Sequence, residues 1–557
     1  MLKKAAVTLS AAALAMGAAS VQAADGYNPV TPERLKEPEA RNWLHWRGNY
    51  KGWGYSPLDQ IDTGNVADLE VAWTISSGVT EGHEAPPIVN DGVMFVTAAY
   101  NNLYALDATT GELLWRYKRQ LPDDVVTCCD VVNRGVAVRG ETVYMGTLDA
   151  HLLALDAKSG KIKWDVTVEN YKERYALTSA PMVIDDKIIV GVHGGEYGVR
   201  GFIAAYDAQS GKQLWKTHTA VSDGSWPGDT YKTGGAPPWL TGTYDQESDT
   251  LYWGTGNPSP WIDPARKDKH DLHWSVSVVA LNPDTGKIKD AFQYSPNDAW
   301  DFDGTNEPML IDIDGKPSIV SPQRNGYLYR LSREGGGVDF VDAWPFAESN
   351  VYEKIKPDGT PVVDETHRPQ VGKTVDACPA FLGAKNWMPS AYHPDTGLMY
   401  VPTNEWCMKI RGAQVEYSAG QPYVGAEFEM YQVPGLDHVG QLQAIDPATG
   451  EVQWKEDFKA PLWGGVLTTG GGLVFAGNLD KREFMAFDAK TGEKLWSQTT
   501  NSGVVGTPMS YTVDGTQYVA VWSGFGGAIP LWAGPVAKLT ESIPMGGVLW
   551  VFKLDQD

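Results

Sequence analysis

The chain has 557 residues, 42% of them hydrophobic, with 60 Gly, 22 Trp and 25 Tyr, and a formal charge of -23. An acidic excess of that size excludes a nucleic-acid partner, which needs basic surface to meet phosphates. Abundant Gly and aromatic residues, with few long helical patterns, favour β structure throughout. The first element is a leader: Met1-Leu2-Lys3-Lys4, an Ala-rich apolar run, then Val21-Gln22-Ala23 read as a cleaved secretory signal over residues 1–23. No other stretch approaches the length of a membrane span, so no membrane anchor is expected. The mature chain, 24–557, is expected to be periplasmic and a single domain, because large all-β folds can run long as one unit. Four cysteines, at 128, 129, 378 and 407, suggest two disulfides rather than a zinc site in an exported chain. No Cys-x-x-Cys-His occurs, so the chain attaches no c-type haem of its own.

Internal repetition is the strongest organising signal. Residues 105–115 form a short strand, an Asp-x-x-Thr-Gly turn and a second strand ending in Trp115. The unit recurs at 154–164, 205–215, 444–454 and 486–496, and a degenerate copy at 280–290 has lost its tryptophan. The Asp can accept backbone N–H groups in the turn, and Gly supplies the positive φ that the turn needs. The terminal Trp offers a flat face for a neighbouring unit. Radial repetition of such units predicts a β-propeller. Eight blades would take about 67 residues each, above the roughly 40–45 of simple propeller repeats. The excess is expected in loops at 218–250, 257–275 and 334–390, over one face. A non-enzymatic propeller scaffold would show the same repeats.

Between the repeats lie Cys128-Cys129-Asp130 followed by Asn133-Arg134-Gly135, then Gly254-Thr255-Gly256-Asn257-Pro258, then Trp300-Asp301-Phe302-Asp303-Gly304. With the Trp-ended repeats, these resemble the quinoprotein alcohol dehydrogenases, periplasmic enzymes that use pyrroloquinoline quinone (PQQ), over nearly all of the mature chain. The resemblance implies an all-β, eight-bladed propeller with tryptophan-docking repeats and with PQQ and a metal ion near its axis. It implies that Cys128 and Cys129 close an eight-membered disulfide ring against one face of the quinone, with Trp239 stacked on the other. It implies Arg134, Thr178, Asn386 and Trp463 as cofactor contacts and Glu84 as a contact at the quinone edge. His193 stands where the family usually has a serine touching a PQQ carboxylate. Cys378 and Cys407 match the family's second, long-range disulfide.

The family's metal ligands map onto Glu196, Asn257 and Asp301, a hard-oxygen set suited to calcium or a similar ion and not to zinc. Asp301 matches the catalytic base, and Arg324 matches the cation expected to hold Asp301 ionised and to stabilise charge on the reduced quinone. Asp303 is the informative addition: calcium-dependent relatives commonly carry a small residue there, and lanthanide-dependent ones an aspartate. Glu196, Asp301 and Asp303 together bring three negative charges, which balance a trivalent ion. A lanthanide is therefore expected, with Ca2+ as the alternative. The resemblance implies alcohol oxidation to an aldehyde or ketone, with electrons leaving to a separate, soluble cytochrome c. A calcium-dependent polyol or sugar-alcohol dehydrogenase of the same fold is the alternative enzyme. His270-Asp271-Leu272-His273 lacks further metal ligands and reads as a solvated loop. No Gly-x-Gly-x-x-Gly opens a helix, which disfavours a nicotinamide enzyme. Substrate choice is expected to rest on loops 257–275 and 375–440.

Overall fold

The computed structural model describes residues 27–264, 266 and 270–555; the expected signal sequence lies outside them. Its sheets follow one rule. In the first, Ile88–Asn90, Val93–Ala98, Asn102–Asp107 and Leu113–Lys118 pair in that order, each antiparallel to the one before. Among the described residues, seven sheets have four strands and one has five; two smaller sheets have two and three. Burial falls from the first strand to the fourth. Ile88–Asn90 and Val93–Ala98 are buried throughout, whereas Leu113–Lys118 alternates between exposed and covered positions. The first strand is therefore innermost and the fourth forms the wet rim of a β-propeller.

The repeat occupies the turn between third and fourth strands. Asp107 Oδ1 accepts the backbone N–H groups of Thr109 and Thr110, both at 2.9 Å. Ala105 faces Trp115 across the pair. The tryptophan then reaches the next sheet: its Nε1 donates to Ala157 O at 2.9 Å and its indole covers Gly160, where a Cβ would lie 2.5 Å from the ring. Gly160 also has φ +67°, so both the space and the backbone require glycine. The same Nε1-to-carbonyl bond joins Trp164 to Ala208, Trp215 to Pro283 and Trp454 to Ala489. Trp73 and Trp344, outside any repeat copy, cover Gly111 and Gly450 in the same way. Where the degenerate copy lacks its indole, Asp290 Oδ2 instead accepts Val338 N of the next sheet at 2.9 Å. Trp496 completes the series by donating to Leu69 O at 3.2 Å. There Leu69–Ser76, from the start of the chain, pairs antiparallel with Val548–Leu554, from its end, and the ring closes.

Strand direction decides which loops meet. An inner strand runs away from the end at which it is entered, and the antiparallel second strand returns to it. Segments entering a first strand and loops leaving a second strand therefore share one end, while the Trp-docking turns lie at the other. Of the three stretches expected to carry the excess length, 257–275 joins a second strand to a third and 334–390 holds the hairpin Tyr352–Ile355/Pro361–Val363. The stretch 218–250 already contains Thr243–Asp245, the inner strand of its sheet. A three-stranded insertion, with Trp406–Gly412 paired between Thr374–Ala377 and Ala426–Gln432, carries the Cys378–Cys407 disulfide, S–S 2.03 Å.

Candidate active site

Every residue expected in the site falls on one of those two kinds of segment. Glu84, Arg134, Thr178, Trp239, Asp301, Asp303, Asn386 and Trp463 precede inner strands, as do Cys128 and Cys129; His193, Glu196, Asn257 and Arg324 follow second strands. Glu84, Cys129, Arg134, His193, Glu196, Trp239, Asp303, Arg324 and Asn386 line one cavity with ≈ 450 Å3 of space between atoms. Cys128, Thr178, Asn257 and Asp301 stand beside that lining, bonded to Cys129, Arg134, Asp303 and Arg324 in turn, and Trp463 packs on Trp406. Cys128 and Cys129 form a disulfide, S–S 2.06 Å, and its sulfurs lie within 4.8 Å of an imidazole nitrogen of His193.

One half of the cavity suits a flat polyanion. The Trp239 indole has the Arg134 guanidinium 5.1 Å from its centroid and Arg324 at 5.8 Å. Arg134 pairs with Glu84 Oε2 at 2.9 Å, its backbone N donates to Thr178 O, and its Nε is buried without an acceptor. Thr178 Oγ1, Trp387 Nε1 and Trp463 Nε1 are buried and unpartnered as well. Buried donors of this kind cost free energy unless a ligand meets them, and PQQ carries three carboxylates and two quinone oxygens. The donor set fits. Burial pushes the Glu84 carboxyl up to about 7 while Arg134 pulls it down. His193 is pushed down to about 3 by burial and by Arg134, so its ring is neutral, with Nδ1 unpartnered.

The other half is acidic. Glu196 sits on the turn Gly195–Tyr197, held by Tyr423 N donating to Glu196 O at 2.7 Å and by Ser259 Oγ donating to Gly195 O. A Cβ on Gly195 would stand 2.6 Å from Asn257 Oδ1, and one on Gly256 2.6 Å from Asp303 Oδ1. Glycine at both positions lets these oxygens approach the main chain. Asp301 adopts φ +60°, in the left-handed region that Asp enters more readily than most residues. Glu196 Oε2 and Asp301 Oδ1 are buried and unpartnered. Burial, then Asp303 as a like charge, pushes Glu196 up to about 7; Asp298 is pushed to about 7 mainly by burial. Three carboxylates facing one arginine, with two oxygens left over, fit a hard cation.

The arrangement departs from the sequence expectation at two points. The carboxylates of Glu196, Asp301 and Asp303 do not form a compact cage: among the described residues, only Cys128, Cys129 and His193 bring three such groups within 4.8 Å. Asp303 is instead engaged by protein groups, accepting Asn257 N at 2.6 Å, Trp239 Nε1 at 2.9 Å and Arg324 Nη2 at 2.5 Å. Arg324 thus pairs more closely with Asp303 than with Asp301, whose Oδ2 lies at 3.4 Å. Arg324 pulls the Asp301 carboxyl down, yet that carboxyl stands well above the ordinary carboxylate range. Burial outweighs the arginine, and Asp303, Glu196 and Asp298 add to the upward push. Sequence reasoning also missed several participants. Trp387 and Leu382 line the cavity beside Asn386. Asp130, next to the cysteine pair, accepts Gly82 N and Gly527 N and so fixes the segment bearing Glu84. Asp298 accepts Phe302 N at 3.2 Å and shapes the Asp301 turn. Among the described residues His270 and His273 join no metal-ligand cluster, and His273 bonds Asp223 at 2.8 Å.

The PQQ family model described as "Glucose/ethanol/alcohol dehydrogenase, beta-propeller domain" matches residues 43–357 and 437–519. The chain is 44% identical to quinoprotein alcohol dehydrogenase PedH of Pseudomonas putida, over 94% of this chain and 93% of the relative. It is 39% identical to a lanthanide-dependent methanol dehydrogenase of Methylorubrum extorquens, over 91% and 93%. Among solved structures it is similar to one titled "Europium-containing methanol dehydrogenase", with TM-score 0.89, 37% identity and coverage of 94% of this chain and 99% of that one.

Proposed function

The chain belongs to the PQQ-dependent alcohol dehydrogenases, and from that premise we propose that it is the lanthanide-using kind, a periplasmic enzyme with one eight-bladed domain that passes electrons to a separate cytochrome c. The seven four-stranded sheets and the five-stranded one support eight blades. The observation that carries the ion reading is the surplus of buried carboxylate oxygen at Glu196 and Asp301 beside Asp303, against the single guanidinium of Arg324.

Arg134, Thr178, Asn386 and Trp463 would hold PQQ between Trp239 and the Cys128–Cys129 ring; Glu196, Asn257, Asp301 and Asp303 would hold the ion. When bound, the quinone supplies the two-electron acceptor for the carbinol hydrogen and the ion a Lewis acid. Asp301 takes the hydroxyl proton of the alcohol onto its carboxylate, a step that needs it ionised. The cation and Arg324 both favour that form against the burial that opposes it. Arg324, donating also to Phe381 O at 2.8 Å, is fixed where negative charge develops. Trp387 and Leu382 keep water from the reacting face.

A second reading follows from the three bonds to Asp303. If Asp303 remains the counter-ion of Arg324, then Glu196, Asn257 and Asp301 are left for a divalent ion such as Ca2+. Reconstitution decides. Enzyme freed of metal and quinone, then given PQQ with lanthanum, praseodymium or calcium, is expected to reduce dye with a primary alcohol only with the lanthanides. Full activity with calcium and none with lanthanum would overturn the lanthanide reading.

A further inference from the structure

A second cavity lies on the axial side of the inner strands and shares no lining residue with the first. One wall is the N-terminal segment, including Trp46 and Arg47, and the opposite wall is inner-strand residues such as Val138, Val183 and Thr243. Arg47 is 2% exposed. Its Nη2 donates to Ser390 O at 2.8 Å and Val466 O at 2.6 Å, which spans the guanidinium between two sheets. Its Nε and Nη1 are buried and have no acceptor, and neither has Trp46 Nε1.

The charge around it does not balance. Among the described residues no carboxylate lies within ion-pair distance of Arg47. The acid it senses, Glu307, also lines the cavity but is committed elsewhere: Oε2 to Lys385 Nζ at 2.8 Å and Oε1 to Ser390 N at 2.7 Å. Two buried cations therefore share one buried carboxylate. The other titratable groups lining the cavity carry no charge: His45 bonds Leu35 O through Nε2 and is held neutral by burial, and Tyr50, its phenol pushed up by burial, donates to Val183 O at 2.6 Å. An arginine does not give up its proton in such a place, and an uncompensated buried charge is strongly unfavourable.

We infer that this cavity binds a small monovalent anion of the halide class, seated on Arg47 Nε and Nη1 with Trp46 Nε1 beside it. One negative charge completes the balance. A sulfate or phosphate would exceed it against Glu307 and would need more donors than these. The apolar parts of the wall suit a weakly hydrated ion such as chloride.

The test uses the quinone- and ion-loaded enzyme. Crystals soaked in sodium bromide are expected to show an anomalous peak about 3.5 Å from the Arg47 guanidinium. In solution, chloride or bromide at constant ionic strength, exchanged for gluconate, is expected to raise Tm saturably by about 1–3 °C. R47M is expected to lose that dependence. Density for water alone at Arg47, or a Tm indifferent to halide, overturns the assignment. Should R47M fail to fold, the bromide map of the unsubstituted enzyme still decides.

Discussion

Burial is the largest influence on Asp301, ahead of every neighbouring charge. Replacing Asp301 by Asn removes the proton acceptor and is expected to lower kcat about 10^2–10^4-fold in dye-linked assays, with quinone absorbance retained. Arg324 is the group that pulls Asp301 down. Arg324→Gln should therefore move the acid limb of the kcat–pH profile to higher pH; a limb that stays in place would remove Arg324 from the base's environment. Glu196 and Asp298, both pushed up to about 7, keep a proton in the folded protein that the unfolded chain has already shed above its ordinary carboxylate range. The folded state then binds more protons, so the stability of ion-free protein falls as pH rises from about 4 and levels above about 7. A bound cation favours the ionised forms and removes that slope. The gain in Tm on adding lanthanum should be larger at pH 8 than at pH 5, and an equal gain at both would contradict this reading.

At the scale of elements, the indole-on-glycine contact does the joining. Gly160 and Gly397 have nearly the same backbone, φ +67° and +69°, but a Cβ at 160 meets the Trp115 ring whereas a Cβ at 397 meets nothing within 4 Å. Gly397→Ala should show the backbone cost alone, about 1 kcal/mol. Gly160→Ala should lose a further 1–3 kcal/mol, roughly, from overpacking, as measured by urea unfolding. These joints were legible in the sequence because each copy repeats one local rule, an Asp-capped turn and a terminal Trp. Trp73, Trp344 and Asp290 were not, since their flanking residues depart from that rule and only the position of the next sheet reveals them. The site divides similarly. Glu196, Asn257, Asp301 and Arg324 could be placed because their short motifs survive intact. The bonds from Asp303 to Trp239 and Arg324 could not, because they join segments 64 and 21 residues apart that meet only when inner strands from different sheets converge.

For the molecule as a whole, all eight of the larger sheets send a segment to one end; the closing sheet contributes Gly527, whose N donates to Asp130 at 2.8 Å, and Ala528. Both ends of the chain are needed to complete that closing sheet, in which Val548–Leu554 lies between Leu69–Ser76 and Thr516–Ser523. Leu69 meets Leu554 across nearly the whole polypeptide, so this pairing is the slowest kind of contact for a folding chain to find. Ring closure therefore waits on the pairing of Val548–Leu554 with Leu69–Ser76. Ala528, which lines the cavity, stands between two strands of that sheet, so the last part of the wall is set by the same closing contact.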